Sequence, residues 1–218
     1  FRAVLQSNNI VLTGLISSMM HVPLDMIESV EIVNPIELGK HIDAKNFMLD
    51  IKVRLNNDSI INLEMQVANL NNWTNRSLSY LCRTFDNVQC GNDYNSVMPV
   101  THIGFLDYDL FPDELEFYSK YMLQNIKTGK IYNDKFSLCV LSLKQINLAT
   151  DEDKKWHIDE WARLFKATTW EELKMIAEKD NVYSEAANSI YIQNSDETVR
   201  AMCEARREAI FHEQYVQK

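Results

Sequence analysis

Residues 47–67 read FMLDIKVRLNNDSIINLEMQV. In the first half Phe47, Leu49, Ile51, Val53 and Leu55 alternate with Met48, Asp50, Lys52 and Arg54; in the second, Ile61, Leu63, Met65 and Val67 alternate with Ile60, Asn62, Glu64 and Gln66. Successive side chains of a strand point to opposite faces, so a hairpin that buries the apolar set brings Asp50, Lys52, Glu64 and Gln66 together on its other face. Asn56, Asn57, Asp58 and Ser59 between the two halves are strong turn formers. Opposing Asp50 to Glu64 requires a three-residue loop centred on Asn57, because a two-residue loop changes the parity unless a bulge restores it. Two carboxylates with an amide carbonyl suit magnesium, which takes oxygen ligands and keeps several waters, and do not suit zinc. On an exposed hairpin the same acids are equally ordinary solvated surface groups.

The flanking sequence supplies further elements. Arg2–Met20 carries Val4, Leu5, Val11, Leu12, Leu15, Ile16, Met19 and Met20 at spacings that predict a helix. Met26–Val33 is a short apolar run ending at Asn34-Pro35 and is read as a strand. Asn71–Cys90 places Leu78, Leu81, Cys82, Phe85 and Val88 at helical spacing, with Gly91 as the expected stop. Met98–Tyr108 then reads as a buried strand. Leu115–Ile126 and Ile131–Leu143 predict a second hairpin turning at Lys127-Thr128-Gly129-Lys130. The remainder predicts helices over about Asp153–Lys166, Trp170–Lys179, Ser184–Ile192 and Asp196–Val216, with threonine at 169 and early acids favouring the amide end of the second.

With 218 residues, 46% hydrophobic, the chain can bury a full core and reads as one domain with a helical extension. No apolar run reaches membrane-spanning length, so no membrane partner is expected. The start at Phe1 without methionine predicts a fragment or trimmed chain. Cys82, Cys90, Cys139 and Cys203 show no CxxC pairing, which favours reduced, buried thiols and a cytoplasmic location over disulfides or zinc.

Other candidates carry a structural and a functional reading side by side. His21, His41, His102, His157 and His212 are scattered and support no hydrolytic triad; His102, inside an apolar strand, reads as a core histidine rather than a base. Trp156, Trp161, Phe165 and Trp170 either pack a helical layer or form a platform for bases. Arg76 and Tyr80, four apart on one helix face, either pack and salt-bridge against the sheet or orient a phosphate or a ligating carboxylate. No Gly-rich phosphate loop occurs.

Asp50, then Glu64-Met65-Gln66, followed by Trp73, Arg76, Ser77, Tyr80, Gly91, Asp93, Tyr94 and Pro99, and later WARLFKATTWEEL at Trp161–Leu173, resembles the PD-(D/E)XK nuclease family transposases, also called recombination-promoting nucleases. The resemblance spans nearly the whole chain. It implies an α/β (α+β) fold with a restriction-endonuclease-like αβββαβ core and mixed sheet, which the periodicity proposes independently, plus the extra hairpin. Residues 1–149 would form the nuclease-like domain and 150–218 the helical extension. It further implies metal-dependent endonucleolytic hydrolysis of DNA phosphodiesters, with Asp50 and Glu64 holding Mg²⁺ or Mn²⁺ and Gln66 where the family pattern has the catalytic lysine. Lys52, Arg54, Arg76 and Tyr80 are candidate phosphate or DNA contacts, and a homodimer is left open.

Two features strain that implication. No Asp or Glu precedes Asp25, whereas many such nucleases draw an acid from the first helix; Gln6, Ser7, Asn8 and Asn9 are its only polar candidates, with Glu28, Glu31 and Glu37 beyond it. The net charge is −9, so DNA binding requires a local basic patch, expected among the six basic residues against four acidic ones between Lys40 and Phe85. A degenerate nuclease fold acting as a nucleic-acid or protein interaction module is the alternative.

Overall fold

A computed structural model describes residues 1–33, 51–197 and 200, 201, 204, 205 and 208. Two short helices, α1 (Arg2–Ser7) and α2 (Asn9–Met20), precede three strands: β1 (Val30–Ile32), β2 (Ile51–Leu55) and β3 (Ser59–Gln66). Helix α3 (Trp73–Phe85) leads into β4 (Val100–Leu106), followed by β5 (Tyr118–Met122) and β6 (Phe136–Ser142). Four helices close the described chain: α4 (Asp151–Lys155), α5 (Ile158–Lys166), α6 (Trp170–Ala177) and α7 (Asn181–Ser195).

The strands form one mixed sheet in the order β1-β2-β3-β4-β6-β5. β1, β2 and β3 pair antiparallel, β3, β4 and β6 run parallel, and β5 returns antiparallel on the far edge. The β2–β3 loop is the expected three-residue turn: Leu55 pairs with Ser59 and Ile51 with Leu63, leaving Asn56, Asn57 and Asp58 between the strands. Asn56 and Asn57 both adopt positive φ, a conformation asparagine tolerates better than most residues. The Asn56 side chain accepts from the Glu28 and Ser29 amides and donates to the Met26 carbonyl, tying the approach to β1 onto the turn.

Both faces of this sheet are covered. Ile51, Val53, Leu55, Ile61, Leu63, Ile103, Phe105 and Leu141 meet Leu5, Val11, Leu15 and Ile16 of the first helices and Ile158, Trp161 and Ala186 of α5 and α7. On the other face Ile60, Val100, Leu106, Leu138 and Val140 meet Trp73 and Leu81 of α3. Each such aliphatic side chain contributes about 1.5–3 kcal/mol relative to exposure. All seven residues of β4 are buried, as expected for a parallel strand with helices above and below.

Several expected elements end differently. The first helix is two: Asn8 is extended, with φ −142° and ψ 110°, and its side chain accepts from the Ile10 and Val11 amides, capping α2. The expected strand over Met26–Val33 is shorter, because Leu24–Met26 forms a 3-10 turn. Helix α3 stops at Phe85, before Cys90, where the Asn87 side-chain amide bonds the Thr84 and Met98 carbonyls and turns the chain toward β4; Gly91 sits in a later turn. The helix expected over Asp153–Lys166 breaks at His157, which has φ +59°. Thr169 caps α6 in a reciprocal box with Glu172, as its sequence suggests. The segment 47–50 of the first hairpin strand and most of the expected last helix lie outside the described residues.

Candidate active site

Glu64 lies two residues before the end of β3, on the sheet face covered by α3. The expectation of an exposed polar face is therefore corrected: Asn62 and Glu64 are 0% and 3% exposed. β3 is an interior strand, paired on its other side with β4, and α3 packs over β4 and β6 and reaches β3 through the side chains of Arg76 and Thr84. A carboxylate so desolvated requires a partner, and Arg76 supplies it: its Nε donates to Glu64 Oε1 at 2.6 Å. This is the ion pair against the sheet that the structural reading of Arg76 expects, and it also fixes the direction of the Glu64 carboxylate.

A row of rings extends the contact. The Arg76 guanidinium lies 5.3 Å from the centre of the Tyr80 ring, and Tyr80 stacks parallel to His102 with centroids 6.4 Å apart. His102 Nε2 is 3.7 Å from Glu64 Oε2. The imidazole is wholly buried, and burial, reinforced by the Arg76 charge, lowers its pKa to about 3. It is thus a neutral core histidine, as the sequence suggests, but one that touches the candidate carboxylate. Asn62 closes the row by donating to Thr84 Oγ1 on α3 at 3.0 Å.

Gln66 is held by a residue the sequence reading missed. Tyr108 donates its hydroxyl to Gln66 Oε1 at 3.1 Å, and burial together with the Glu64 charge raises its pKa, so it remains a donor at neutral pH. Tyr108 shares its parity with His102 and Gly104 along the expected Met98–Tyr108 strand. Parity would have put it on this face had the parallel β3–β4 pairing been known.

The remaining candidates divide. Lys52, paired with Asn62, lies on the same sheet face as Glu64; burial first, and Arg54 next, lower its pKa. Arg54 makes a 3.7 Å ion pair with Glu31 in which both side chains are exposed, an arrangement that contributes little. Asp50 lies outside the described residues, as do Lys40, Lys45 and Glu37. The first helices pack on the opposite sheet face, which removes Gln6, Ser7, Asn8 and Asn9 as contributors; Asn8 instead caps α2 and bonds Glu185. Glu31 sits in the Arg54–Ile60 row, four positions along β3 from Glu64, and does not converge with it. Of the aromatic group, Trp161 packs in the core, Trp156 and Phe165 pack partly, and Trp170 is half-exposed against Tyr191. Cys139 is buried, but Cys82 and Cys90 are exposed, so the expectation of uniformly buried thiols fails; all three are free, and Cys203 lies outside the described residues.

Glu64 offers oxygen donors, the chemistry a hard divalent cation takes, whereas the Gln66 oxygen is engaged by Tyr108. Among the described residues no group of three or more His, Cys, Asp or Glu side chains is arranged to hold a metal. No helix among them is long and apolar enough to cross a membrane.

Comparison with curated proteins and with solved structures finds no match to either. A family model does match, across residues 2–218, and the mixed six-stranded sheet is consistent with it: the chain belongs to the PD-(D/E)XK nuclease family transposases.

Proposed function

We propose that this chain is a metal-dependent DNA endonuclease of the recombination-promoting type, with Asp50 and Glu64 holding Mg²⁺ or Mn²⁺ and Gln66 acting beside them. The observation that carries this reading is the fixed orientation of a buried carboxylate: Arg76 grips Glu64 Oε1 at 2.6 Å, two residues before Gln66 on an interior strand. Surface acids are not built this way. The described ladder reaches Ile51 with Leu63, and Asp50, which the sequence reading opposes to Glu64, lies outside the described residues.

The ion would supply Lewis acidity toward the scissile phosphate and a more acidic water. Arg76 keeps the Glu64 carboxylate from rotating and offsets its charge when the site is empty. Tyr108 engages the Gln66 carbonyl oxygen, which leaves the amide NH₂ as the group Gln66 offers to a phosphate or water oxygen. Lys52, on the same face, supplies part of the positive charge that a lysine at position 66 would bring. Residues 1–149 would carry the chemistry, with the helices of the 150–218 extension completing their core, in a cytoplasmic protein with reduced thiols.

The test is nicking of supercoiled plasmid in Mg²⁺ or Mn²⁺ by the wild-type chain, Asp50→Asn and Glu64→Gln, with circular dichroism to confirm folding. Both isosteric variants should lose cleavage by roughly a hundredfold or more, in line with the share of catalysis a metal site supplies. Full activity in either overturns the assignment. A folded wild type that binds DNA without metal-dependent cleavage favours the interaction module.

A further inference from the structure

We propose that the arm formed by residues 118–135, β5 and the turn that follows it, is a contact for duplex DNA distinct from the Glu64 site. The β5–β6 ladder ends at Met122 with Ser137, and beyond it the two arms touch only through the Gln124–Ile131 bridge. Residues Leu123 to Tyr132 are all exposed. The arm is nonetheless shaped: the Asn125 side chain accepts from the Lys127 and Thr128 amides, and Gly129, at φ +70°, donates its amide to the Asn125 carbonyl at 2.8 Å.

Its chemistry is opposite to that of the molecule. Residues 118–135 hold Lys120, Lys127, Lys130 and Lys135 against Asp134 alone, a local charge of +3 in a chain of −9. Lys135 is engaged at the base, where Nζ donates to the Asn95 and Val97 carbonyls. Lys120, Lys127 and Lys130 form no ion pair among the described residues and are exposed. Beside them stand two large apolar side chains, Ile126 at 95% and Tyr132 at 86% exposure. Lysines alone on an edge strand are a common guard against strand pairing. That role does not account for an isoleucine and a tyrosine held in water among them.

A polyanion with apolar and aromatic base surfaces meets both halves of this composition. Phosphates take the ammonium groups, base edges and thymine methyls in the groove take Tyr132 and Ile126, and a two-stranded ribbon fits a major groove. Glu64 shares its sheet row with Ser119 three strands away. At strand spacing and rise the tip is therefore roughly 25 Å from it, so the arm acts on DNA retention and not on the reacting bond. This inference rests on the reading of the chain as a DNA-cleaving protein.

The experiment measures anisotropy of a short labelled duplex in EDTA over a salt series. It compares the full wild-type chain, Lys120→Gln/Lys127→Gln/Lys130→Gln, a control carrying Lys144→Gln/Lys154→Gln/Lys155→Gln, and Ile126→Ser/Tyr132→Ser. The arm triple should weaken binding about tenfold or more and flatten the slope of log affinity against log salt by about 0.9 for each phosphate no longer neutralised, up to about 2.7. The control should match the wild type, and the Ile126/Tyr132 variant should bind about fivefold or more weakly with the slope unchanged, as the removal of uncharged groove contacts requires. An arm triple equal to the control overturns this inference while leaving wild-type plasmid nicking, and hence the nuclease reading, intact. Loss of a dimer on light scattering with a wild-type salt slope also overturns it and makes the arm a surface between copies. A wild type that binds no duplex overturns both readings.

Discussion

On the proposed assignment Gln66 stands where a lysine would bring a full charge, and an amide substitutes for it only if its orientation is set. A primary amide has an acceptor end and a donor end, and Tyr108 selects between them by donating to Oε1. Gln66→Ala should lower cleavage by roughly ten- to a hundredfold, comparable to removing one oriented donor from a transition state. Tyr108→Phe keeps the ring packing and removes only the tether, so it should lower kcat by a smaller factor and leave KM near wild type. Single-turnover cleavage across the two variants checks the order. A larger loss in Tyr108→Phe than in Gln66→Ala would show that Tyr108 acts in some other way.

At the level of elements, the site depends on how closely α3 lies on the sheet. Gly104, next to Glu64 in the β3–β4 register, has no side chain because Trp73 fills that space: a Cβ there would overlap the indole ring. Trp73 is 2% exposed and fully enclosed by the sheet and helix, so it cannot swing aside without opening a cavity. Gly104→Ala should therefore cost about 1–3 kcal/mol of stability, the usual range for overpacking a close contact. Because the shift displaces the helix that carries Arg76, activity should fall further than the fraction unfolded accounts for. Thermal melts and cleavage at a temperature where the variant is folded measure the two effects separately. Wild-type stability in Gly104→Ala would mean that α3 does not press on β4 as described.

Over the whole molecule, charge and burial set the response to pH and salt. His102 holds a neutral imidazole in the core, with its pKa lowered to about 3 by burial and by Arg76. In the unfolded chain a histidine takes up a proton below about 6.5. Between those values the unfolded state binds more protons than the folded one, so stability falls as pH drops from about 6.5 toward 3. His102→Leu removes that contribution and should give a shallower acid limb in chemical unfolding of the metal-free chain; an unchanged limb would mean that His102 is not the group responsible. Between Lys52 and Phe85, Arg54 is paired with Glu31 and Arg76 with Glu64, which leaves less free positive charge around the site than its number of basic residues implies. Lys120, Lys127 and Lys130 of the 118–135 arm, with no ion pair among the described residues, are the larger local excess.

The sequence by itself determined the features that depend on local periodicity and turn chemistry. Strict alternation over residues 51–66 defines two strands, and Asn56-Asn57-Asp58 sets a three-residue loop and therefore the register, because a one-residue slip would turn Ile61 and Leu63 out of the core. The Glu64-Met65-Gln66 motif, the Thr169 cap and the second hairpin were legible for the same reason: each is a relation between residues close in the chain. Only the tertiary structure decided that β3 is an interior strand. The polar face of a hairpin looks solvated until a parallel neighbour and a helix from later in the chain cover it. That long-range packing turns Glu64 from a surface acid into a buried one, brings Arg76 and His102 to it across 12 and 38 residues and Tyr108 to Gln66 across 42, and puts the first helices on the opposite face. Alternation within one strand states which residues share a face, whereas the element covering that face is fixed by the pairing of distant strands.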